Sequence, residues 1–262
     1  MKLILVPTDF SDTATNAVHY AAAFCKDHNL QMHVLNAMHI PPVDVNAPIT
    51  LAQTMMDNER KFTKEKLDKL SAELKEKYQI SIETESDFGL GSDVILSAVE
   101  SLDADAVIMG TSGESGLLAS LLGSVTASVA KRAEVPVIAV PQNTVYRTFK
   151  NVVFGNDHKE PIENELATIH KFFKGSKTKL HIVSVQESKE GFVQEVICDE
   201  GGVKEVVLWA NSVKDGFKQY LDNENAEILA VKHHSRGFIE DLFHKSTTQE
   251  LLKDCSIPLF IF

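Results

Sequence analysis

The chain has 262 residues, of which 44% are hydrophobic and 24% are charged. This mixture is that of an ordinary globular protein and excludes disordered and collagen-like chains. Its 26 Lys and Arg residues against 37 Asp and Glu residues give a formal net charge of −11, whereas binding to nucleic acid would need a surplus of basic residues. No segment approaches the roughly 20 apolar residues that cross a bilayer. We therefore expect a soluble, cytoplasmic protein with no nucleic-acid partner and no membrane partner.

The cysteines argue against a covalent or metal scaffold. Cys25, Cys198 and Cys255 are odd in number and far apart in sequence. They form neither a CxxC pair nor the spacing of a structural zinc site, so no disulfide framework is expected. The length fits one large domain or two small ones.

The first half alternates short apolar runs with longer amphipathic stretches. Leu3–Val6 is apolar on both faces, which predicts a buried strand, and Leu51–Tyr78 carries an apolar stripe among Lys and Glu, which predicts a long helix. The other predicted strands are Met32–Ala37, Ile80–Thr84, Ala106–Met109 and Val137–Val140. The other predicted helices are Thr13–Cys25, Ser92–Leu102 and Val125–Arg132. This order predicts an α/β fold with right-handed crossovers and a parallel sheet that helices cover on both faces.

The same pattern begins again near residue 150. Asn151–Phe154 matches the opening strand, Leu180–Val185 matches the second strand, and Ile228–Val231 matches the strand that ends at Gly110. A shorter crossover near Gly191–Gly202 stands where the first half has its long helix. We therefore expect a tandem repeat of two domains, residues 1–146 and residues 147–262.

One glycine-rich loop joins a buried strand to the start of a helix. Gly110 ends the strand, Gly113 lies in the loop, and Gly123 and Ser124 precede the helix. Glycines let the backbone approach an anion closely, and the N–H groups at a helix start favour phosphate; the hydroxyls of Ser124 and Thr126 would add donors. The spacing is neither a Walker A loop nor a Rossmann GxGxxG motif. The alternative is a loop that only turns between strand and helix.

With these four positions the sequence resembles the universal stress protein family, whose nucleotide-binding members carry G-x2-G-x9-G-[S/T]. The opening strand, Ile4–Ser11 with Asp9 at its carboxyl end, is similar to that of the family, and the resemblance covers both halves. It implies two tandem Rossmann-like domains of the adenine nucleotide alpha hydrolase-like type, each a five-stranded parallel sheet in the order 3-2-1-4-5 with flanking helices. In that order the first and fourth strands meet at the topological switch point, where open α/β sheets bind ligands.

The resemblance also implies a stress-response regulatory protein whose first domain binds ATP, or ADP or AMP, with or without Mg²⁺. Asp9 and the backbone at Pro7 and Thr8 would contact the nucleoside, and Ala37 would select adenine through its main chain. The residues that would hold ribose and phosphates are Met109, Gly110, Gly113, Gly123, Ser124, Val125 and Thr126. Taken alone, Asp9 is also typical of a helix N-cap or a turn.

The second half departs from this motif. The residues opposite its four positions are Val231, His234, His244 and Lys245. Their side chains would block the approach of a triphosphate, so no nucleotide is expected to bind there in the same manner. The histidines near this pocket favour either a metal or anion site or a set of solvated loop residues; they are His158, His233, His234 and His244. Lys232, Arg236 and Lys245 would favour an anion other than ATP.

Three functions remain open: a nucleotide-binding regulator, a slow ATPase at the same pocket, and a module that binds a non-nucleotide ligand or a protein partner. Efficient phosphoryl transfer needs stabilisation of the phosphate charges, but the loop from Gly110 to Ser124 contains Glu114 and neither Lys nor Arg. At most weak ATP hydrolysis is therefore expected. The apolar strand Ile257–Phe262 is a natural pairing surface. In the universal stress protein family the corresponding strand joins two domains, so here Ile257–Phe262 would pair with Val137–Val140 and join the two halves of the chain. A homodimer of the whole chain is also possible on this basis.

Overall fold

The computed structural model describes residues 1–39, 49–111, 122–156, 161–173, 178–188, 191–232 and 257–262. The strands in these ranges are β1 (Leu3–Pro7), β2 (Gln31–Met38), β3 (Ile82–Phe88), β4 (Ala106–Gly110), β5 (Val137–Val140), β6 (Asn151–Gly155), β7 (Lys179–Glu187), β8 (Val193–Glu200), β9 (Val203–Ala210), β10 (Ile228–Val231) and β11 (Leu259–Ile261). The helices are α1 (Asp12–His28), α2 (Ile49–Tyr78), α3 (Gly91–Ser101), α4 (Ser124–Arg132), α5 (Glu163–Phe172) and α6 (Val213–Asn223). Among these helices, none has the length and apolarity that a membrane span requires.

All eleven strands belong to one sheet, in the order β3-β2-β1-β4-β5-β11-β10-β6-β7-β9-β8. The first five are parallel and confirm the predicted order 3-2-1-4-5. β1 lies between β2 and β4, pairing Pro7 with Leu35 on one side and Leu5 with Val107 on the other. The strand order reverses between β1 and β4, so the switch point lies there.

Helices pack on both faces of the sheet, as the alternating pattern predicts. One face is covered by α1, α2 and α5, which bury side chains such as Phe24, Leu74 and Phe172 against it. The other face is covered by α3, α4 and α6, with Val129 and Tyr220 among their buried residues. Burial of such apolar side chains is the main term that stabilises the fold, at roughly 25 cal/mol per Å² of apolar surface.

The second half of the chain repeats this strand order with one change. β11, β10, β6, β7 and β9 lie side by side, but the crossover between β7 and β9 is the strand β8, antiparallel to β9. The five parallel strands expected for this half are present, in the order β9-β7-β6-β10-β11, and β8 adds a sixth, antiparallel strand that was not expected. The cause is local: Gly201 and Gly202 have φ of 62° and 84°, and two such glycines form the tight turn of a β-hairpin.

The two halves meet at β5 and β11. These strands pair antiparallel, with Leu259 opposite Ala139 and Ile261 opposite Val137. The segment after β5 is held to α1, because the Asn16 side-chain amide donates to the carbonyl oxygens of Pro141 and Thr144, both at 3.1 Å. An aromatic cluster fills the space behind the junction; its closest ring pairs are Phe149–Phe173 and Phe173–Phe260.

Candidate functional site

The carboxyl ends of β1 and β2 are joined by two short hydrogen bonds. The Thr8 N–H donates to the Leu35 carbonyl oxygen at 2.8 Å. The buried Asn36 side-chain amide donates back to the Thr8 carbonyl oxygen at 2.7 Å. Pro7 and Thr8 are buried, and Ala37, next along β2, is half-buried and pairs with Asp87 of β3. The strand ends that the family resemblance would assign to a nucleoside are therefore fixed side by side.

The turn from β1 into α1 is built on Asp9. The Asp9 Oδ1 accepts from the Ser11 N–H at 3.0 Å and from the Ser11 hydroxyl at 2.6 Å. Phe10 between them has φ of 63°, and the Ser11 hydroxyl caps α1 by accepting from the Ala14 N–H. Asp9 is thus the acid of a turn and Ser11 is the N-cap. The Asp9 side chain is exposed at the end of β1.

Gly110 ends β4 against the first turn of α1. A Cβ added at position 110 would come within 2.9 Å of the Thr13 Cγ2 and 3.1 Å of the Thr13 carbonyl oxygen. The first contact is shorter than real Cβ contacts and the second is tighter than most, so a larger residue would have to displace Thr13 and α1. Met109 precedes Gly110, is buried, and lies level with Ala139 of β5. This packing brings the β1–α1 turn and the end of β4 into contact.

The start of α4 is held at the same edge of the sheet. The Gly123 N–H donates to the Thr111 carbonyl oxygen at 2.5 Å, and the Thr111 N–H donates to the Val140 carbonyl oxygen at 3.0 Å. Gly123 is the N-cap residue and has no side chain that could cap the helix. The first hydrogen bond within α4 runs from the Ala127 N–H to the Gly123 carbonyl oxygen. The N–H groups of the three residues between them therefore have no partner within the helix.

Those N–H groups belong to Ser124, Val125 and Thr126. Ser124 and Val125 are exposed residues, so the first turn of α4 lies at the surface of the protein. With the helix dipole, this makes a place where an anion is favoured. The first turn of α4 carries no basic side chain, so the positive potential there comes from its N–H groups. A cation lies against the β1–α1 turn, where the Lys66 Nζ is 4.9 Å from the centre of the Phe10 ring.

Thr126 has a different role from the one that its hydroxyl suggests in the sequence. The side chain is buried, and its hydroxyl donates to the Gly110 carbonyl oxygen at 2.8 Å. This bond ties the first turn of α4 to the end of β4. The hydroxyl is thus a brace between two sides of the site, and of the two predicted hydroxyl donors only that of Ser124 is exposed.

The structure therefore brings most of the predicted residues to one edge of the sheet. Pro7, Thr8 and Asp9 at the end of β1, Met109 and Gly110 at the end of β4, and Gly123 to Thr126 at the start of α4 are joined by the bonds above. Ala37 lies one strand further away. Gly113 falls outside the described residues. Sequence reasoning missed Thr13 and Asn36; Asn36 left one signal, a polar residue within an otherwise apolar strand.

The second half has no equivalent arrangement in its described part. Lys232, from the predicted basic cluster, forms an ion pair of 2.7 Å with the buried Glu165. His158, His233, His234, His244, Arg236 and Lys245 lie outside the described residues. Within the ranges that the structure does describe, no group of three His, Cys, Asp or Glu side chains could hold a metal ion.

A Rossmann-like α/β sheet, with helices on both faces and a switch point between β1 and β4, defines the class of this protein. A model of the universal stress protein family matches residues 1–141, more than half of the chain. The chain therefore belongs to the universal stress protein family.

Relatives of known sequence and structure agree with this assignment. A universal stress protein of Methanocaldococcus jannaschii is 30% identical over 142 residues, which are 53% of this chain and 81% of that protein. One of Synechocystis is 25% identical over the full length of both chains. The solved universal stress protein of Archaeoglobus fulgidus shares the fold over 99% of this chain and 95% of its own, with a TM-score of 0.70 at 19% identity.

Proposed function

We propose that this protein is a stress-response regulator that binds ATP or ADP at the edge of the sheet formed by β1, β4 and the start of α4. The observation that carries the proposal is the start of α4 beside the end of β4, where Ser124 and Val125 are exposed residues and their N–H groups have no partner within the helix. Phosphates are the ligands that such a helix start favours most. The family's G-x2-G-x9-G-[S/T] motif, matched here from Gly110 to Ser124, supports the same ligand.

The parts of the nucleotide would be shared among the strand ends. Phosphates would lie on the N–H groups at Ser124 and Val125, and the ribose would lie near Gly110. The nucleoside would contact Asp9 and the backbone of Thr8, with adenine against the main chain of Ala37. This assignment uses the hydrogen-bonded contact between β1 and β2 and the contact between Gly110 and α1, which together hold these groups at one edge.

We also propose that the chain divides into domains at residues 146 and 147. The first domain would carry the nucleotide, and the second would pair with it through the β5–β11 ladder. The second domain would not bind a nucleotide in the same way. Val231 stands where the first domain has Gly110, and the cation beside it, Lys232, is engaged by Glu165.

Two variants at Ser124 that differ from each other only in charge test the proposal. Ser124 is exposed and occupies the first turn of α4, where an acidic side chain stabilises a helix. Ser124→Asp should therefore fold, yet its carboxylate would repel phosphates, so the Kd for ATP measured by calorimetry should rise at least about tenfold, or 1.4 kcal/mol. Ser124→Asn, which has the same shape without the charge, should bind ATP within a few-fold of the wild type.

The alternative functions give different results in the same preparation. Nucleotide released from the purified protein by heat, without multiple turnover of added ATP, would support a regulator. Turnover well above background would favour an ATPase. A folded protein that neither contains nor binds any adenine nucleotide would contradict both and favour a module for another ligand.

A further inference from the structure

The strand β8 ends the sheet with an open edge. It pairs with β9 along one side, and within the described ranges no strand pairs with its other side. All eight of its side chains are exposed, including the apolar Val193, Val196 and Ile197 at 50%, 48% and 54%. An edge of this length with apolar side chains is a template for another strand.

A bulge in the middle of β8 sets which side chains share a face. Val193, Glu195, Cys198 and Glu200 pair with Trp209, Val207, Glu205 and Val203, and therefore lie on one face. Gln194, Val196 and Asp199 pair with Leu208, Val206 and Lys204, and lie on the other face. The register shifts between Val196 and Cys198, so Ile197 is the extra residue.

The bulge makes the strand symmetric about its centre. When two copies of an eight-residue strand pair antiparallel over their full length, the first residue of one lies opposite the last residue of the other. In a regular strand these two residues point to opposite faces, and the pairing fails. Here the extra residue brings Val193 and Glu200 to the same face, and likewise Gln194 and Asp199. The full-length register is therefore allowed between two copies of β8.

We propose that β8 is the interface of a homodimer, in which two copies pair antiparallel and continue the sheet from one chain into the other. The pairs would be Val193 with Glu200, Gln194 with Asp199, Glu195 with Cys198, and Val196 with Ile197, each occurring twice about the two-fold axis. This inference does not depend on the nucleotide site, which lies at β1 and β4, several strands away in the sheet order.

Charge favours a second copy in this register. β8 carries three acids, Glu195, Asp199 and Glu200. In the full-length register each acid faces an uncharged side chain, so the repulsion between directly opposed like charges is avoided. A slip of two residues in one direction, which keeps the faces matched, would by contrast place Glu195 opposite Glu200. The centre, where Val196 meets Ile197 twice, supplies the apolar contact.

A disulfide between copies tests both the partner and the register. Glu195→Cys would place its thiol opposite Cys198 of the second copy, at the Cα separation of about 5 Å that paired strands have and disulfides accept. Oxidation should then give a covalent dimer with two bridges. Within one chain, residues 195 and 198 pair with Val207 and Glu205, two residues apart on β9, and so lie about 7 Å apart along the strand, at the limit for a bridge. A bridge within one chain would leave a monomer on a non-reducing gel, so only the bridge between copies gives the covalent dimer. Cys255 is replaced by serine in every variant, so that only β8 thiols and the buried Cys25 remain.

The wild-type strand and Gln194→Cys are the controls for this bridge. The two Cys198 residues of a dimer would be about 7 Å apart along the strands and about 5 Å apart across them, a Cα separation of more than about 8 Å. Gln194 lies on the face opposite Cys198. Neither protein should form the covalent dimer at the rate of Glu195→Cys. Equal crosslinking in all three, or none in Glu195→Cys, would overturn the proposal.

The solution dimer can be measured without a bridge. Sedimentation equilibrium of the wild type should show a monomer–dimer equilibrium, and Ile197→Asp, which adds a charge at the apolar centre, should raise its Kd at least about tenfold. Val145→Asp changes an even more exposed valine, which lies between β5 and β6, and should leave the Kd unchanged. A wild-type protein that stays monomeric, or a dimer that Ile197→Asp does not weaken, would contradict β8 as the interface.

Discussion

Gly110 and Thr13 lie so close together that a Cβ at position 110 would come within 2.9 Å of the Thr13 Cγ2. The same Cβ would also lie 3.1 Å from the Thr13 carbonyl oxygen. The glycine is therefore required by the packing of α1 against β4, independently of any ligand. Gly110, the first glycine of the G-x2-G-x9-G-[S/T] motif, thus has a structural role. Variants at position 110 should therefore change the stability of the protein as well as any binding of nucleotide.

Gly110→Ala should lower the free energy of unfolding by about 1–3 kcal/mol, the usual cost of overpacking a core. Adding Thr13→Ser removes the Cγ2 and should recover part of this loss, whereas the contact with the backbone stays. Urea unfolding measures both. Gly91→Ala is the matched control, because a Cβ there meets Val125 only at 3.4 Å and α3 gains helix propensity. If both glycines tolerated alanine equally, the contact with Thr13 would not constrain position 110.

Thr126→Val should also destabilise the protein. It keeps the shape of the side chain but removes the hydroxyl that donates to the buried Gly110 carbonyl oxygen, at a cost of about 1 kcal/mol. Ser124→Ala removes an exposed hydroxyl two residues earlier and should cost no more than about 0.5 kcal/mol. Thermal or urea unfolding of the two variants compares them directly; equal effects would mean that the Thr126 brace contributes nothing.

The first half of the fold could be predicted almost completely from the sequence. Each of its strands and helices leaves a periodic apolar pattern, and the predicted ends differ from the observed ones by three residues or fewer, except that β3 runs to Phe88 instead of Thr84. The strand β8 was not predicted, because its side chains are exposed and leave no apolar alternation. The Gly201–Gly202 pair was the available signal for its hairpin.

Residues of the candidate site could be predicted from the sequence where their type and spacing suit ligand binding directly. Residues that only pack against the site could not. Gly110, Gly123 and Ser124 stand out because their spacing is tied to a loop before a helix. Thr13 could not be found in this way, because its contact with Gly110 joins residues that are far apart in sequence. The bond from the Thr126 hydroxyl to the Gly110 carbonyl oxygen likewise depends on how the loop closes.

Stability should fall as the pH drops below about 6.5, in part because of His181. Burial lowers the pKa of its imidazole; Glu224 opposes this shift and Lys204 adds to it. Its Nδ1 lies 2.8 Å from the Tyr220 hydroxyl, and its buried Nε2 has no hydrogen-bond partner in the described part of the chain. The unfolded chain therefore takes up the proton first, so the stabilisation is complete above the unfolded pKa and is lost as the pH falls towards the native one.

A His181→Gln variant isolates this contribution. Its free energy of unfolding should fall less between pH 7.5 and pH 5 than that of the wild type. His19 and His28, whose pKa values are also lowered by burial, contribute equally to both proteins. If the free energies of unfolding of the two proteins fell equally with pH, His181 would not be held neutral by the fold.

The cysteines should differ sharply in reactivity. Burial raises the pKa of the Cys25 thiol to about 12, and the thiolate is the reactive form, whereas Cys198 is exposed on β8. In a Cys255→Ser protein, a thiol reagent at pH 8 should modify Cys198 within the first phase and Cys25 only after unfolding. Peptide mapping by mass spectrometry identifies the labelled residue. Early labelling of Cys25 would contradict the packing of α1 on the sheet.

The most direct test of nucleotide binding is an NMR titration of ¹⁵N-labelled protein with ATP. The backbone amide signals of Ser124, Val125 and Thr126 should move most, together with those of Thr8 and Gly110, and the shifts should saturate with a single Kd. Amides of β7 and β10 in the second half should stay in place. A titration that leaves the amides at the start of α4 unmoved, or that moves only residues of the second half, would contradict the proposed site.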